Sequence, residues 1–380
     1  MVREVKQVAA TPPILKKINL STIIKIVMKW HPISRTQIAE RSGISKPTVT
    51  KLVRELFDEG YLVSIGKNKS RVGKRQELLA LNPSKGYVIS VDIGLRTSKV
   101  ALISFATSLI VVETIETHPN HKEFLKSLVS KVVEIVRKRK VNEIHAVVVS
   151  VPGIVHKNLR IAVNVPLLHW RNIPLADLLE LSLMESGVTT TVTLENDAQL
   201  GVIAEVMLNQ VPSLERKNIV YVLVKEGIGV GMFLNRELYS GRSHTAGEFG
   251  HMVIDIDGEE CSCGRRGCWI TLAGSEQLSR YVQKGRIEEY IRLFGTGLIN
   301  IINGLDPDVI VISGKVTDYW GDISPLLSHM IMRESFVQEI EDLRIVPSRF
   351  ENRVAPLVGG AIVGFRDYIE MRGDEGIVVV

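Results

Sequence analysis

All the cysteine in this chain sits in one eight-residue stretch, Cys261, Cys263 and Cys268, with His251 ten residues before the first of them. An odd, clustered set cannot build a disulfide framework. The pattern H-x9-C-x-C-x4-C instead offers one imidazole and three thiolates, the closed tetrahedral donor set of a structural Zn2+ site rather than a catalytic one. Gly264 and Gly267 permit the sharp turns that aim three thiolates inward. Such an ion would pin this loop against the segment carrying Glu248 and His251.

Charge is distributed unevenly. Residues 1–85 hold 17 Lys/Arg against 6 Asp/Glu, whereas the remaining 295 residues hold 30 against 36. One end is built to meet a polyanion and the rest is not. That end also shows helical periodicity: Ile14, Ile18, Ile23, Ile24, Ile26 and Val27 predict a first helix. Ser34 and Ser45 are N-cap residues for a second and a third, Gly43 breaks the second, and Pro47 suits the first turn of the third. The tight spacing of these two helices is a helix-turn-helix signature. Val49, Leu52, Val53 and Leu56 form the apolar face of the third helix. Its other face offers Ser45, Lys46, Thr48, Thr50, Lys51 and Arg54 to a major groove. Two strands, 61–65 and 76–81, flank a glycine-containing basic wing with Lys67, Lys69, Arg71, Lys74 and Arg75, placed for phosphate or minor-groove contact. Residues 82–86 read as a linker.

Strands and helices alternate through the remainder, which predicts an α/β domain. Strands are expected at 87–94, 99–104, 144–151 and 189–194, with a helix at 121–139. A second round starts at 219–224 and 227–234. Later strand-to-glycine junctions are expected at 309–314 and 357–361. Two similar lobes with a cleft between them follow from the pattern. Glu195-Asn196-Asp197, at a strand end, offers an amide and carboxylates to sugar hydroxyls, and Asp197 can also serve as general base. No apolar run approaches the ~20 residues of a membrane helix, and Met1–Leu20 lacks the apolar region of a signal peptide. A cytoplasmic protein with no membrane partner is expected.

Together these residues resemble the ROK family of sugar-responsive repressors and sugar kinases. The segment Gly247-Glu-Phe-Gly-His251 through Cys261-Ser-Cys-Gly-Arg-Arg-Gly-Cys268 is similar to the family's signature and metal motif. The winged helix-turn-helix is similar to that of its repressor branch. The resemblance implies an actin/hexokinase-like (ribonuclease H-like) duplicated α/β fold with an N-terminal winged helix-turn-helix. Its boundaries would be 1–83 for the DNA-binding domain, 84–200 for the first lobe and 201–364 for the second lobe with the zinc site. A C-terminal helix at about 365–380 would pack back on the first lobe. A sugar would bind between the lobes through Asn196, Asp197, Glu248 and His251. Asp197 would occupy the place of the kinases' catalytic base. Nucleotide, if bound, would meet Asp92, Gly94, Gly227, Gly229, Gly231 and Gly314.

Two departures from the kinase pattern stand out. The first phosphate loop, Asp-x-Gly-Gly-Thr in the kinases, is here Asp92-Ile-Gly94-Leu95-Arg96. The kinases' sugar-binding glutamate two residues past the last cysteine is here Ile270, which cannot accept a hydrogen bond. The expected function is a sugar-responsive DNA-binding regulator of carbohydrate metabolism, a repressor, acting as a homodimer or higher homo-oligomer on double-stranded operator DNA. The alternative is an ATP-dependent kinase of glucose or N-acetylglucosamine, using Mg-ATP, with the helix-turn-helix as an appendage.

Overall fold

A computed structural model of the protein describes residues 12–68, 75–141, 143–209, 217–336 and 342–370. The chain divides into two compact units. Of the described residues, one comprises those within 12–86, 104–108 and 365–370, and the other comprises those within 87–103 and 109–364.

The first unit opens with α1 (Pro12–Trp30), α2 (Arg35–Ser42) and α3 (Lys46–Asp58), followed by the antiparallel pair β1 (Leu62–Lys67) and β2 (Glu77–Leu81). Local chemistry sets each boundary. The Ser34 side chain accepts from the Gln37 amide while the Gln37 side chain accepts from Ser34 N, a reciprocal capping box. Gly43 ends α2 in the left-handed region, φ +70°, a conformation that costs glycine nothing. Ser45 caps α3, with Pro47 in the first turn where no amide partner is lost. Ile23, Ile24, Val27, Ile38, Val49, Leu52, Val53, Leu56 and Leu79 are buried together as one small core. Asn68 closes the base of the wing through paired backbone and side-chain bonds to Gln76 at 2.9 Å. Lys69, Arg71 and Lys74 lie outside the described residues.

An aromatic cluster completes this unit. Phe105 meets Tyr61 and Phe365 edge-on at 5.9 and 5.3 Å between ring centroids, Tyr368 meets Tyr61 at 5.7 Å, and Lys85 Nζ lies 4.0 Å over the Tyr61 ring. Of the helix expected at 365–380 the structure describes α12 (Arg366–Ile369), and its Tyr368 packs edge-on against Tyr61 and Phe105 of this unit.

The second unit holds two five-stranded sheets. The first contains β3 (Tyr87–Asp92), β4 (Thr97–Ser104), β5 (Leu109–Glu116), β6 (Ala146–Val151) and β10 (Thr191–Asn196), ordered β5-β4-β3-β6-β10. Helices α4 (His121–Arg139) and α5 (Leu175–Glu185) accompany it, and β7 (Ile154–His156), β8 (Ile161–Val165) and β9 (Trp170–Ile173) form a small sheet of their own. After α6 (Asp197–Leu208) comes the second sheet: β11 (Ile219–Val224), β12 (Ile228–Leu234), β13 (Glu237–Leu238), β14 (Val309–Gly314) and β15 (Arg344–Pro347), ordered β13-β12-β11-β14-β15. The two orders are the same in chain sequence, so the domain is a duplication. In each sheet the central pair, β3–β6 and β11–β14, is parallel and near-continuously apolar, as expected of strands buried on both faces, whereas β12 runs antiparallel to β11. The second sheet is covered by α7 (Trp269–Ala273), α8 (Ser275–Gln283), α9 (Ile287–Leu305) and α10 (Trp320–Glu334).

The helix after each sheet crosses to the other. α6 leaves β10 and packs on β11 and β12, whereas α11 (Ala355–Gly364) leaves the second sheet and packs on β3, β6 and α6. Residues 357–361, expected as a strand-to-glycine junction, are therefore helical. The glycines that suggest a turn are there for proximity: a Cβ on Gly359 would overlap the Leu200 carbonyl, and one on Gly360 the Ser90 hydroxyl. It is α11, ending at Gly364, that packs back on the first lobe.

Candidate functional site

The exposed face of α3 carries Lys46, Thr50, Lys51 and Arg54, with Ser45 exposed at its start and Thr48 half-buried. Ser45 Oγ and Thr48 Oγ1 are paired at 2.8 Å, and Thr50 Oγ1 donates to the Lys46 carbonyl at 2.8 Å, so these hydroxyls brace the helix. Lys46, Lys51 and Arg54 form no ion pair with any described residue. Lys67 and Arg75, at the two sides of the wing, are exposed as well.

Within the second unit a cleft of about 280 Å³ is lined from both lobes, by Gly94, Leu95, Asn196, Asp197, Gln199, Lys225, Gly227, Gly229, Glu248, His251, Cys263, Arg265 and Ile270 among others. All four residues expected to meet sugar are among them. Asn196 is the N-cap of α6: its Oδ1 accepts from the Ala198 and Gln199 amides at 3.0 and 3.1 Å, and its Nδ2 donates to the Gly153 carbonyl at 3.1 Å. Only its second amide hydrogen remains for another partner. Asp197 opens the same helix and its Oδ1 accepts from the Ala198 amide at 2.9 Å. Glu195 is not part of the cleft; it is buried and paired with Lys157 at 2.6 Å.

Burial pushes the Glu248 carboxyl up to about 7, with the Asp197 charge adding to it. A neutral Glu248 can donate as well as accept. Gln199, 4% exposed, also lines the cleft, and its Oε1 is buried without a hydrogen-bond partner among the described residues.

Sequence reasoning missed Lys225, the residue that follows β11. Its Nζ lies 2.9 and 3.0 Å from the two Asp92 oxygens and 3.3 Å from Asp197 Oδ2. Asp92 also accepts from Ser150 Oγ at 3.0 Å. Burial works against the ammonium, but the charges of Asp92 and Asp197 outweigh it and raise the Lys225 pKa. Burial raises Asp197 too, with Lys225 opposing. A lone lysine after a strand carries no sequence signal; its meaning comes from partners 133 and 28 residues away.

The glycines expected near nucleotide each have a packing reason. A Cβ on Gly231 would overlap the Ala198 carbonyl, one on Gly229 would press on the Ala198 methyl, and one on Gly94 would overlap the Thr97 carbonyl. Gly314, with φ +89°, would press on Val224. Gly231 and Gly314 do not line the cleft, and neither does Arg96, which is exposed.

Ligand atoms of His251, Cys261, Cys263 and Cys268 all lie within 4.8 Å of one another. Cys263 Sγ is 3.7 Å from Cys268 Sγ, and Cys261 Sγ is 3.5 Å from His251 Nδ1. Zinc–sulfur and zinc–nitrogen bonds in a tetrahedron imply edges of about 3.8 and 3.6 Å, so the donor set fits such an ion. Gly264 and Gly267 take positive φ, +87° and +65°, as the loop requires. This group could hold a metal, and His251 and Cys263 also wall the cleft.

A small helix-turn-helix with a wing, joined to a duplicated α/β domain with an interlobe cleft, defines a class of DNA-binding regulator built on a sugar-kinase fold. The ROK family pattern matches residues 88–290, and a winged helix-turn-helix DNA-binding pattern matches 22–63. The chain belongs to the ROK family. The xylose repressor of Bacillus spizizenii is 27% identical over 94% of this chain and 97% of its own length. Among solved structures, a ROK family transcriptional regulator homologous to the Escherichia coli MLC protein aligns with TM-score 0.73 at 21% identity, over 94% of this chain and 98% of that one. A ROK family glucokinase from Streptomyces griseus, solved with glucose and AMPPNP, aligns with TM-score 0.64 at 21% identity, over 73% of this chain and 99% of that one. Within the family this chain is a sugar-responsive DNA-binding transcriptional regulator. No helix among the described residues is long and apolar enough to cross a membrane.

Proposed function

We propose that the chain represses genes of sugar use by placing α3 in the major groove of operator DNA, and that a neutral monosaccharide bound in the interlobe cleft resets its DNA affinity. The observation that carries this reading is one chain holding both an exposed basic recognition face and a cleft of convergent polar groups. Ser45, Lys46, Thr48, Thr50, Lys51 and Arg54 read or position on the groove, and Lys67, Lys69, Arg71, Lys74 and Arg75 contact phosphate from the wing. Two copies would present two recognition helices to a two-fold operator.

In the cleft, Asp197, Glu248, His251 and Gln199 meet the sugar hydroxyls, with one Asn196 hydrogen in support. Ile270 supplies an apolar wall where an acceptor would otherwise stand. A structural zinc on His251, Cys261, Cys263 and Cys268 holds that wall in place. With Nδ1 turned to the sulfurs, His251 keeps Nε2 for a hydroxyl. Xylose heads the ligand panel because a relative is named for it, followed by glucose and N-acetylglucosamine. Isothermal titration of the full chain with that panel tests the reading: saturable binding of one sugar, lost in Asp197→Asn, supports it, and no binding of any of them contradicts it.

The second reading, an ATP-dependent sugar kinase, draws weight from the buried Asp197 carboxylate in the cleft. Leu95 and Ile270 stand against it. Phosphoryl transfer from Mg-ATP to a panel sugar, abolished in Asp197→Asn, would replace the first reading with the second.

A further inference from the structure

Mg-ATP, the cofactor a kinase of this fold would use, does not fit these residues, and the reason is Lys225. An ammonium has three N–H donors and no acceptor. Those of Lys225 have three carboxylate oxygens within reach: Asp92 Oδ1, Asp92 Oδ2 and Asp197 Oδ2, at 2.9, 3.0 and 3.3 Å. The fourth oxygen, Asp197 Oδ1, accepts from the Ala198 amide at 2.9 Å. Every oxygen of the pair is therefore partnered. Magnesium needs oxygens at about 2.0–2.1 Å in a near-octahedral set, and a fixed positive charge already stands between the two carboxylates.

The placement of Lys225 is rigid. Its amide donates to the Gly227 carbonyl at 2.9 Å, and its carbonyl accepts from the Ser275 amide at 2.9 Å. It projects from the end of the second sheet, whereas Asp92 ends β3 in the first. The ion pairs thus run from one lobe to the other. Gly229 and Gly231, which would otherwise suggest a phosphate loop, are required for the close approach of β12 to α6.

We infer that Lys225 is a resident cation of the cleft: a tethered ammonium that takes the place of a divalent metal at the Asp92–Asp197 pair and excludes a metal-bound nucleotide. The chain then has no need of metal or nucleotide at this position, and the cleft is left to a neutral ligand. That last consequence rests on the sugar reading above; the exclusion of metal does not.

Manganese is the probe, its free concentration read by electron paramagnetic resonance on the full chain. The wild type should show no manganese site that depends on Asp92. Lys225→Ala should create one, tightening binding by about tenfold or more, and Lys225→Ala with Asp92→Asn should lose it again. A variant that folds, by circular dichroism, yet binds no more manganese than the wild type overturns the inference. If Lys225→Ala loses its fold, Lys225→Met, which keeps the packing of the stem, takes its place. The wild-type titration decides independently, because an Asp92-dependent manganese site in it overturns the inference outright. No sugar enters this experiment. Manganese gained only in the variant, with no panel sugar bound by the wild type, would uphold Lys225 and overturn the sugar reading.

Discussion

Single residues in this protein act through what surrounds them. Glu205 shows this in the core: it is fully buried on α6 and accepts from Ser348 Oγ at 2.6 Å, from the Arg349 amide at 3.2 Å and from Asn209 Nδ2 at 3.3 Å. Burial raises its pKa above the ordinary 4.5 in spite of these bonds. The folded state therefore holds the Glu205 proton more tightly than the unfolded chain does. Its contribution is complete below the unfolded value and is lost as pH rises through the folded one. Denaturant titrations at pH 5 and 7 should show a loss of stability with rising pH that is smaller in Glu205→Gln, which keeps the acceptor but cannot titrate. An equal loss in both would contradict the assignment. Lys225 and Glu205 share a property that hides them from sequence reading: a charged side chain in an apolar neighbourhood gains its role only from partners far along the chain. Asn196 and Asp197 stood out in the sequence as a polar pair at a strand end and through the family resemblance; that they open α6, with Asn196 as its cap, comes from the structure.

Elements carry the same lesson at larger size. The second and third helices were legible to the residue because Ser34, Gly43, Ser45 and Pro47 act on their nearest neighbours. The His251, Cys261, Cys263 and Cys268 cluster was legible because all four side chains come from one short stretch of sequence. α11 was not: Gly359 and Gly360 suggest a turn, and only the approach of α6 explains them. Gly231→Ala should accordingly destabilise the protein by about 1–3 kcal/mol through overpacking, measured by urea denaturation. Gly304→Ala in α9, where an added methyl meets open space, should be neutral or slightly stabilising. Equal effects at the two sites would remove the close-packing account of these glycines. On the DNA side, Lys51→Ala and Arg54→Ala should each weaken DNA binding. Each should lower the salt dependence of log K by about one phosphate's worth of slope where the contact is to backbone. Unchanged affinity in both would move the DNA face elsewhere.

At the scale of the whole molecule, the duplicated sheets, the start of α6 and the His251–Cys268 segment converge on one cleft. Purified full-length chain should carry about one zinc per chain, measured by metal analysis. Cys261→Ser should lose that metal, lower the melting temperature and weaken sugar binding, because the same loop walls the cleft. A zinc-free wild type that melts and binds sugar as before would make the cysteine cluster incidental. The duplication was legible from two rounds of strands and helices and the glycine junctions between them. The cleft's ligand was not, since the family's pattern is interrupted at Leu95, where a phosphate-loop glycine would stand, and at Ile270, where a glutamate would.

On the proposed reading, DNA is read at the N-terminal unit, a sugar is held in the cleft, and the second changes the first. Ligand must then prefer one of two states that differ in DNA affinity. The direct measurement is fluorescence anisotropy of the full chain on a double-stranded DNA that it has selected from a random pool, with and without the sugar identified by titration. The account predicts a sugar-dependent change in DNA affinity that disappears in Asp197→Asn while that variant still binds DNA. A DNA affinity indifferent to every sugar that occupies the cleft would contradict it.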